Sequence, residues 1–365
     1  MQIKEIIYAL EQVAPPALQE EYDNAGLITG NIHWECTGVM VSLDATEAVI
    51  QEAIEKGCNM VVSHHPIVFK GLKKLSGRSY VERAIISAIK HDIALYAIHT
   101  NLDNVLPGVN GKMADLLGLI NRKILAPKKG LLQKLSVFVP MAHKDALMNA
   151  LFAAGAGNIG GYSECSFATE GMGSFKAGEN AQPFVGQVGH RHTEPELRLE
   201  VIFPQWMQAS VVKAMIAHHP YEEVAYDIYP LANSFLQTGS GLIGELMEPI
   251  SEHEMLQLLK ISFKTGVIKH TPLTGKPIKK IALCGGAGSF LTGAAIAAGA
   301  DIFITAELKY HEFFDADQKL VLADIGHFES EQFTIDLLFD ILRENFPTFA
   351  VLKTGVNTNP VCYFT

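Results

Sequence analysis

The chain has 365 residues, 48% hydrophobic and 19% charged, with a mean hydropathy of +0.17, which excludes disorder, collagen and long coiled coil and leaves room for two or three domains. A formal net charge of −10, without strong clustering of basic residues, disfavours nucleic acid and anionic membranes as partners. Five scattered cysteines (Cys36, Cys58, Cys165, Cys284, Cys362) with no CxxC pair point to reduced, cytoplasmic thiols rather than a disulfide framework or a cysteine zinc finger.

The N-terminal segment lacks the apolar core of a signal peptide and reads as a short amphipathic helix ending near Pro15 and Pro16. From Thr37 onward, β-rich runs alternate with helical patterns: GVMVSLD (38–44), a helix over 45–56, NMVVSHHP (59–66), a helix over 80–90, then IALYAIHTNLD (93–103). That alternation predicts βαβ units and a mostly parallel, buried sheet. Between the two halves of the chain the pattern changes, with strand-then-helix passes over 132–157 and 196–231 that predict an inserted α+β ferredoxin-like domain. The Gly-, Ser- and Asn-rich stretch 155–195 between them reads as a long hairpin or loop. The α/β grammar returns as KKIALCGGAGS (279–289), an Ala-rich helix, DIFITAE (301–307), KLVLADIGHFESE (319–331), a helix to Asn345 and a C-terminal strand. The expected domains are therefore an α/β domain over 1–128 and 236–365, interrupted by the insertion at 129–235. The longest apolar stretch, 294–305, is broken by Gly299 and Asp301 and is short of the roughly 20 residues a membrane span needs.

Five potential metal ligands stand at or just beyond the C-terminal ends of three predicted strands: His64, His65, Asp103, His327 and Glu331. Open α/β sheets bind ligands outside those strand ends, so the five can converge. Successive residues of a strand point to opposite sides, so His64 and His65 suit two neighbouring ions better than one. His327 and Glu331, four apart at the start of a predicted helix, share a face, and either Glu331 or Asp103 can bridge two ions. Asp44, His99 and Asn101 are candidates for orienting the ligands or for acid–base work, with capping or turn roles equally open. Glu307, Tyr310 and His311 follow another strand and are candidates for the same crevice, His311 as a second proton-transfer group beside His99. The CGGAGSF loop (284–290) departs from GxGxxG at Leu291 and reads as a tight turn before a phosphate cradle. The histidines of GHRH (189–192) and AHHPYEE (217–223) have no converging partner and read as surface or interface residues. With no GxSxG, Walker A or HExxH motif, metal-activated water is the chemistry that remains.

Taken together, VSLDAT, VVSHHPIVFKGLKKL, AIHTNLDN, CGGAGSF and GHFESE resemble the NIF3-like (DUF34) family, whose bacterial members carry the label GTP cyclohydrolase 1 type 2 homolog. The insertion resembles the PII-like or CutA-like domain of the longer members. The resemblance implies a dinuclear metal site on His64, His65, Asp103, His327 and Glu331, holding two divalent ions (Zn, Fe, Mn or Co). It also implies a toroidal homohexamer with a small anionic, nucleotide-like substrate. Ala306-Glu307 departs from the Gly-acid pair that relatives often show. The implied activity is metal-dependent hydrolysis of GTP to 7,8-dihydroneopterin triphosphate and formate; a metal-binding regulatory or metal-handling hexamer without turnover is the competing reading.

Overall fold

Helix α1 (Ile3–Val13) places Ile3, Ile6, Ile7 and Leu10 on one buried face, and the pair Pro15-Pro16 follows its end. This computed structural model describes residues 1–364. Beyond α1 come β1 (Gly26–Thr29), β2 (Val39–Asp44), α2 (Glu47–Glu55), β3 (Met60–His65), α3 (Tyr80–Lys90) and β4 (Ala94–Ala97). The hydroxyl of Ser79 caps α3 by accepting the Glu82 amide, satisfying a donor that the first turn leaves free. The short α4 (Thr100–Asp103), α5 (Val109–Leu116) and β5 (Ile120–Lys129) follow. The inserted segment comprises β6 (Leu132–Pro140), α6 (Lys144–Ala153), β7 (Ser166–Lys176), β8 (Arg191–Pro204), α7 (Gln208–His218) and β9 (Tyr226–Leu231), with β10 (Ser234–Ile250) next. The chain closes through α8 (Glu252–Ser262), β11 (Lys269–His270), β12 (Ile278–Ala287), α9 (Thr292–Ala297), β13 (Ile302–Ala306), β14 (Val321–Asp324), α10 (His327–Glu331), α11 (Thr334–Asn345) and β15 (Val351–Lys353).

Two structural units result, one of Met1–Pro127 with Gln237–Thr365 and the other of Lys128–Leu236. In the first, the parallel strands are divided between two sheets rather than gathered in one. A five-stranded sheet runs β1-β4-β3-β2-β15, parallel except at β1, and a six-stranded sheet runs β11-β14-β13-β12-β10-β5, parallel through β12, β13 and β14. Strands β2 and β3 are buried along almost their whole length, as parallel strands covered on both faces must be, which explains their uninterrupted apolar sequence. The long β10 carries no comparable run; glycines at 239, 241 and 244 divide its apolar residues.

In the second unit the strand order β7-β8-β6-β9, with neighbouring strands antiparallel and α6 and α7 as the two crossovers, is the ferredoxin-like arrangement. Its core is built from Leu135, Val137, Leu147, Leu199, Phe203 and Met215. The stretch read from sequence as hairpin or loop holds the regular strand β7, paired with β8 from Ser166–Val201 to Lys176–Arg191. With β8 it forms the expected long hairpin, and as an edge strand it is exposed along nearly all its length, so neither face needs apolar residues. The expected C-terminal strand is likewise shorter, ending at Lys353.

Candidate metal centre

The five candidate ligands meet where the C-terminal ends of the parallel strands of both sheets of the first unit come together. In β2 and β3 the register pairs Ser42 with Ser63 and Asp44 with His65. Each buried serine hydroxyl donates to the carbonyl two residues ahead, Ser42 to Asp44 and Ser63 to His65, both at 2.8 Å. These bonds satisfy carbonyls where the ladder ends. The same register sets the Asp44 carboxylate 2.8 Å from His65 Nδ1.

His64 is fully buried and donates from Nδ1 to the Ile98 carbonyl at 2.8 Å. That bond fixes the tautomer, leaving a bare lone pair on Nε2. Nε2 lies 3.6 Å from Asp103 Oδ1 and 4.0 Å from Glu331 Oε1, and neither His64 Nε2 nor Asp103 Oδ1 has a hydrogen-bond partner. A buried unsatisfied acceptor costs about 1–3 kcal/mol, so two facing one another call for a cation between them.

A second set forms on the other side of Glu331. His65 Nε2 and His327 Nε2 both reach Glu331 Oε2, at 2.9 and 3.0 Å, and are 3.3 Å from each other. His327 Nδ1 is held by Glu307 Oε1 at 2.9 Å. Glu307 achieves this from a left-handed conformation (φ 58°) directly after β13, so the departure at Ala306 leaves in place the acid that orients His327. Within each of three groups, one ligand atom per residue lies within 4.8 Å of the others: His64, Asp103 and Glu331; His65, His327 and Glu331; and His64, His65 and His99. Glu331 belongs to two of them, on opposite oxygens, the position a bridging carboxylate requires.

Electrostatics follow from this crowding. Burial drives the His64 pKa down to about 3, so the ring is neutral and able to bind a metal. Burial also opposes the charged form of His65 and His327, but carboxylates on both sides outweigh it: Asp44 and Glu331 lift His65 to about 10, and Glu331 lifts His327 to about 9. Burial and the negative charge of Glu331 raise Asp103, whereas Glu331 itself, although buried, is held low by His327 and His65. In the metal-free chain, protons on His65 and His327 therefore supply the positive charge that this donor set demands.

His99 stands against the same rings, its centroid 5.2 Å from that of His64 and 5.4 Å from that of His65. Its Nδ1 donates to Asp23 Oδ1 at 2.8 Å, and Asp23 Oδ2 accepts the Thr100 amide and hydroxyl. Burial would raise the Asp23 pKa, but these bonds and the His99 ring bring it down to about 2. Sequence reasoning missed Asp23, which sits in a loop ahead of β1 with no pattern to connect it to His99, 76 positions away. Asn101 is a structural residue: its side chain accepts the His99 amide and donates to the Ala14 carbonyl. His311 is exposed and lies edge-on to Tyr310 and tilted against Phe314 at ring separations of 5.2 and 6.4 Å. It is not among the residues gathered at the centre, because the chain beyond Glu307 folds into a separate turn over 310–316.

The glycine-rich loop serves the site by close approach. The Gly285 amide donates to Asn110 Oδ1 and the Gly286 amide to Ser330 Oγ, both at 3.0 Å, so these donors are engaged within the protein. Gly286 has φ 61°, and a Cβ there would lie 2.5 Å from Glu331 Oε1 and 3.3 Å from His327 Cε1. Gly286→Ala is therefore expected to lose about 1–2 kcal/mol to backbone strain and to weaken metal binding about 10- to 100-fold by displacing Glu331. Gly293→Ala on α9, where a Cβ meets open space, is the control. Thermal melts and metal titrations of the two variants check this; equal metal affinity would remove the loop from the site.

Comparison with known proteins gives a consistent picture. The family model described as Duf34/NIF3 (NGG1p interacting factor 3) matches residues 1–360. A Bacillus subtilis protein named GTP cyclohydrolase 1 type 2 homolog is 40% identical over 327 residues, covering 89% of this chain and 88% of its own. A relative of the same name from Halalkalibacterium halodurans is 38% identical over 363 residues, covering 98% of each. Among solved structures, a Bacillus cereus protein related to NIF3 is similar with a TM-score of 0.88 at 35% identity, over 100% of this chain and 99% of that one. A Staphylococcus aureus protein follows with a TM-score of 0.79 at 28% identity, with the same coverage.

Proposed function

The chain belongs to the Duf34/NIF3 (NGG1p interacting factor 3) family, and from that premise we propose that it is a dinuclear-metal-dependent hydrolase of small anionic substrates. The first candidate reaction is that of its relatives' name: hydrolytic opening of the imidazole ring of GTP with release of formate, toward 7,8-dihydroneopterin triphosphate. The observation that carries the reading is the pair of unpartnered buried atoms, His64 Nε2 and Asp103 Oδ1, facing a carboxylate shared with His65 and His327. Zn, Fe, Mn and Co all suit this mixture of imidazole and carboxylate. When bound, two such ions supply Lewis acidity and a water that ionises near neutral pH.

The remaining roles fall to the protein. Asp44 and Glu307 hold the outer nitrogens of His65 and His327 and so aim their Nε2 atoms inward. Asp23 holds the Nδ1 proton of His99, leaving Nε2 free to take up and return a proton beside the centre. The proposal extends to a homohexamer in which each chain contributes one centre. Among the described residues, no helix is long and apolar enough to cross a membrane.

The test is metal-loaded protein incubated with GTP and a panel of cyclic amides and phosphoesters. Turnover is expected, with His99→Asn slower by about 100-fold at unchanged metal content. If none of these compounds is consumed while bound metal exchanges freely with solution, the hydrolase reading gives way to metal handling.

A further inference from the structure

The ferredoxin-like unit holds a cavity of about 460 Å³ that has no part in the metal centre. Its volume lies within the range of sites for small organic ligands. Strands β7 and β8, the loop after β7 and the segment between α7 and β9 all contribute to its lining.

Four aromatic residues, Phe138, Phe175, Phe184 and Tyr221, line the cavity. Phe175 and Phe184 lie 6.1 and 6.2 Å from Tyr221, inclined to it by 60° and 48°. The rings meet at steep angles rather than stacking, so they enclose space. Glu196, Glu222 and Glu223 line it as well, against one lysine, Lys176. Glu196 is more than nine-tenths buried, and its Oε1 accepts the Tyr221 hydroxyl at 2.7 Å. Room for that carboxylate comes from Gly173, where a Cβ would lie only 2.0 Å from Glu196 Oε2. Glu222 accepts the Gln182 amide at 2.8 Å, tying the loop that carries Phe184 to the segment that carries Tyr221. A core of this size gains nothing from burying a carboxylate beside a void lined with aromatic rings, since replacing it by an apolar residue would avoid the desolvation penalty.

We infer that this cavity is a binding site for a small organic cation, an ammonium or guanidinium compound, recognised by the faces of Phe175, Phe184 and Tyr221 and by the carboxylate of Glu196. Aromatic faces carry negative quadrupole charge and attract weakly hydrated cations, and an adjacent carboxylate supplies the counter-charge. The excess of acidic over basic lining residues excludes a phosphate ligand here, in contrast to the anionic substrate proposed for the metal centre. This site depends on no property of that centre.

Isothermal titration calorimetry on the full-length chain, metal content held constant, tests it with choline, agmatine and tetramethylammonium as probes and 3,3-dimethylbutan-1-ol as a neutral isostere of choline. At least one cation is expected to bind about tenfold or more tightly than the neutral alcohol. Glu196→Gln and Phe184→Ala are each expected to abolish that preference. Phe184 is exposed, so its truncation leaves the fold intact even if Glu196→Gln does not. The inference is overturned if no cation binds better than the alcohol, or if Phe184→Ala binds the cation as wild type does.

Discussion

Glu331→Gln protein purified without chelator is expected to retain almost no divalent metal, where the wild type retains about two ions per chain. The reason is the double membership of this carboxylate: Oε1 faces His64, which shares a group with Asp103, while Oε2 faces His65 and His327. An amide keeps the shape but loses the charge and offers only one acceptor atom, so one set loses its ligand and the other keeps only a neutral oxygen, weakening both in a single substitution. Asp103→Asn and His327→Asn each strike only one set and are expected to leave about one ion. The pattern of all, half and half is what elemental analysis checks. If Asp103→Asn and His327→Asn each abolish binding entirely, the centre holds a single ion and the dinuclear reading fails. Glu331→Gln also removes the buried counter-charge of His65 and His327, so the metal-free variant is expected to be less stable than the metal-free wild type by about 3 kcal/mol. Chemical denaturation in the presence of chelator measures this separately from metal loss.

The candidate ligands were legible in the sequence to the degree that strand ends are. His64 and His65 end an uninterrupted apolar run, and His327 and Glu331 follow another, so their positions in a parallel α/β fold could be placed before any distance was known. Asp44 was visible for the same reason, because it ends the neighbouring strand and parallel register sets it opposite His65. Residues supplied by irregular chain were not legible. Asp23 reaches His99 from a loop, and a carboxylate in a loop looks like any turn former until its partner is known. His311, a candidate for the crevice from its place shortly after β13, is exposed beyond a turn that begins with Glu307 in the left-handed region. In the same way, alternating βα signals cannot tell whether parallel strands occupy one sheet or two.

Metal loading and the stability of the metal-free chain are expected to depend on pH in opposite senses. Without metal, His65 and His327 carry protons that neutralise Glu331, with pKa values raised from an ordinary 6.5 to about 10 and about 9. A group whose pKa is raised in the folded state stabilises it fully below the unfolded value, and that contribution is lost as pH climbs through the folded value. The metal-free chain should therefore lose stability between about pH 6.5 and 10 as these histidines deprotonate. Metal binding requires the same nitrogens to be unprotonated, so each chain should release about two protons on loading near neutral pH. Apparent metal affinity is then expected to rise by up to about 100-fold per pH unit below pH 9, and to level off above the two pKa values. His64 adds nothing to this slope, because burial keeps it neutral throughout the range. Calorimetric titration of the metal in buffers of different ionisation enthalpy counts the protons directly. A count near zero at pH 7 would mean that neutral rings already occupy His65 and His327, and that Glu331 is paired with something other than their protons.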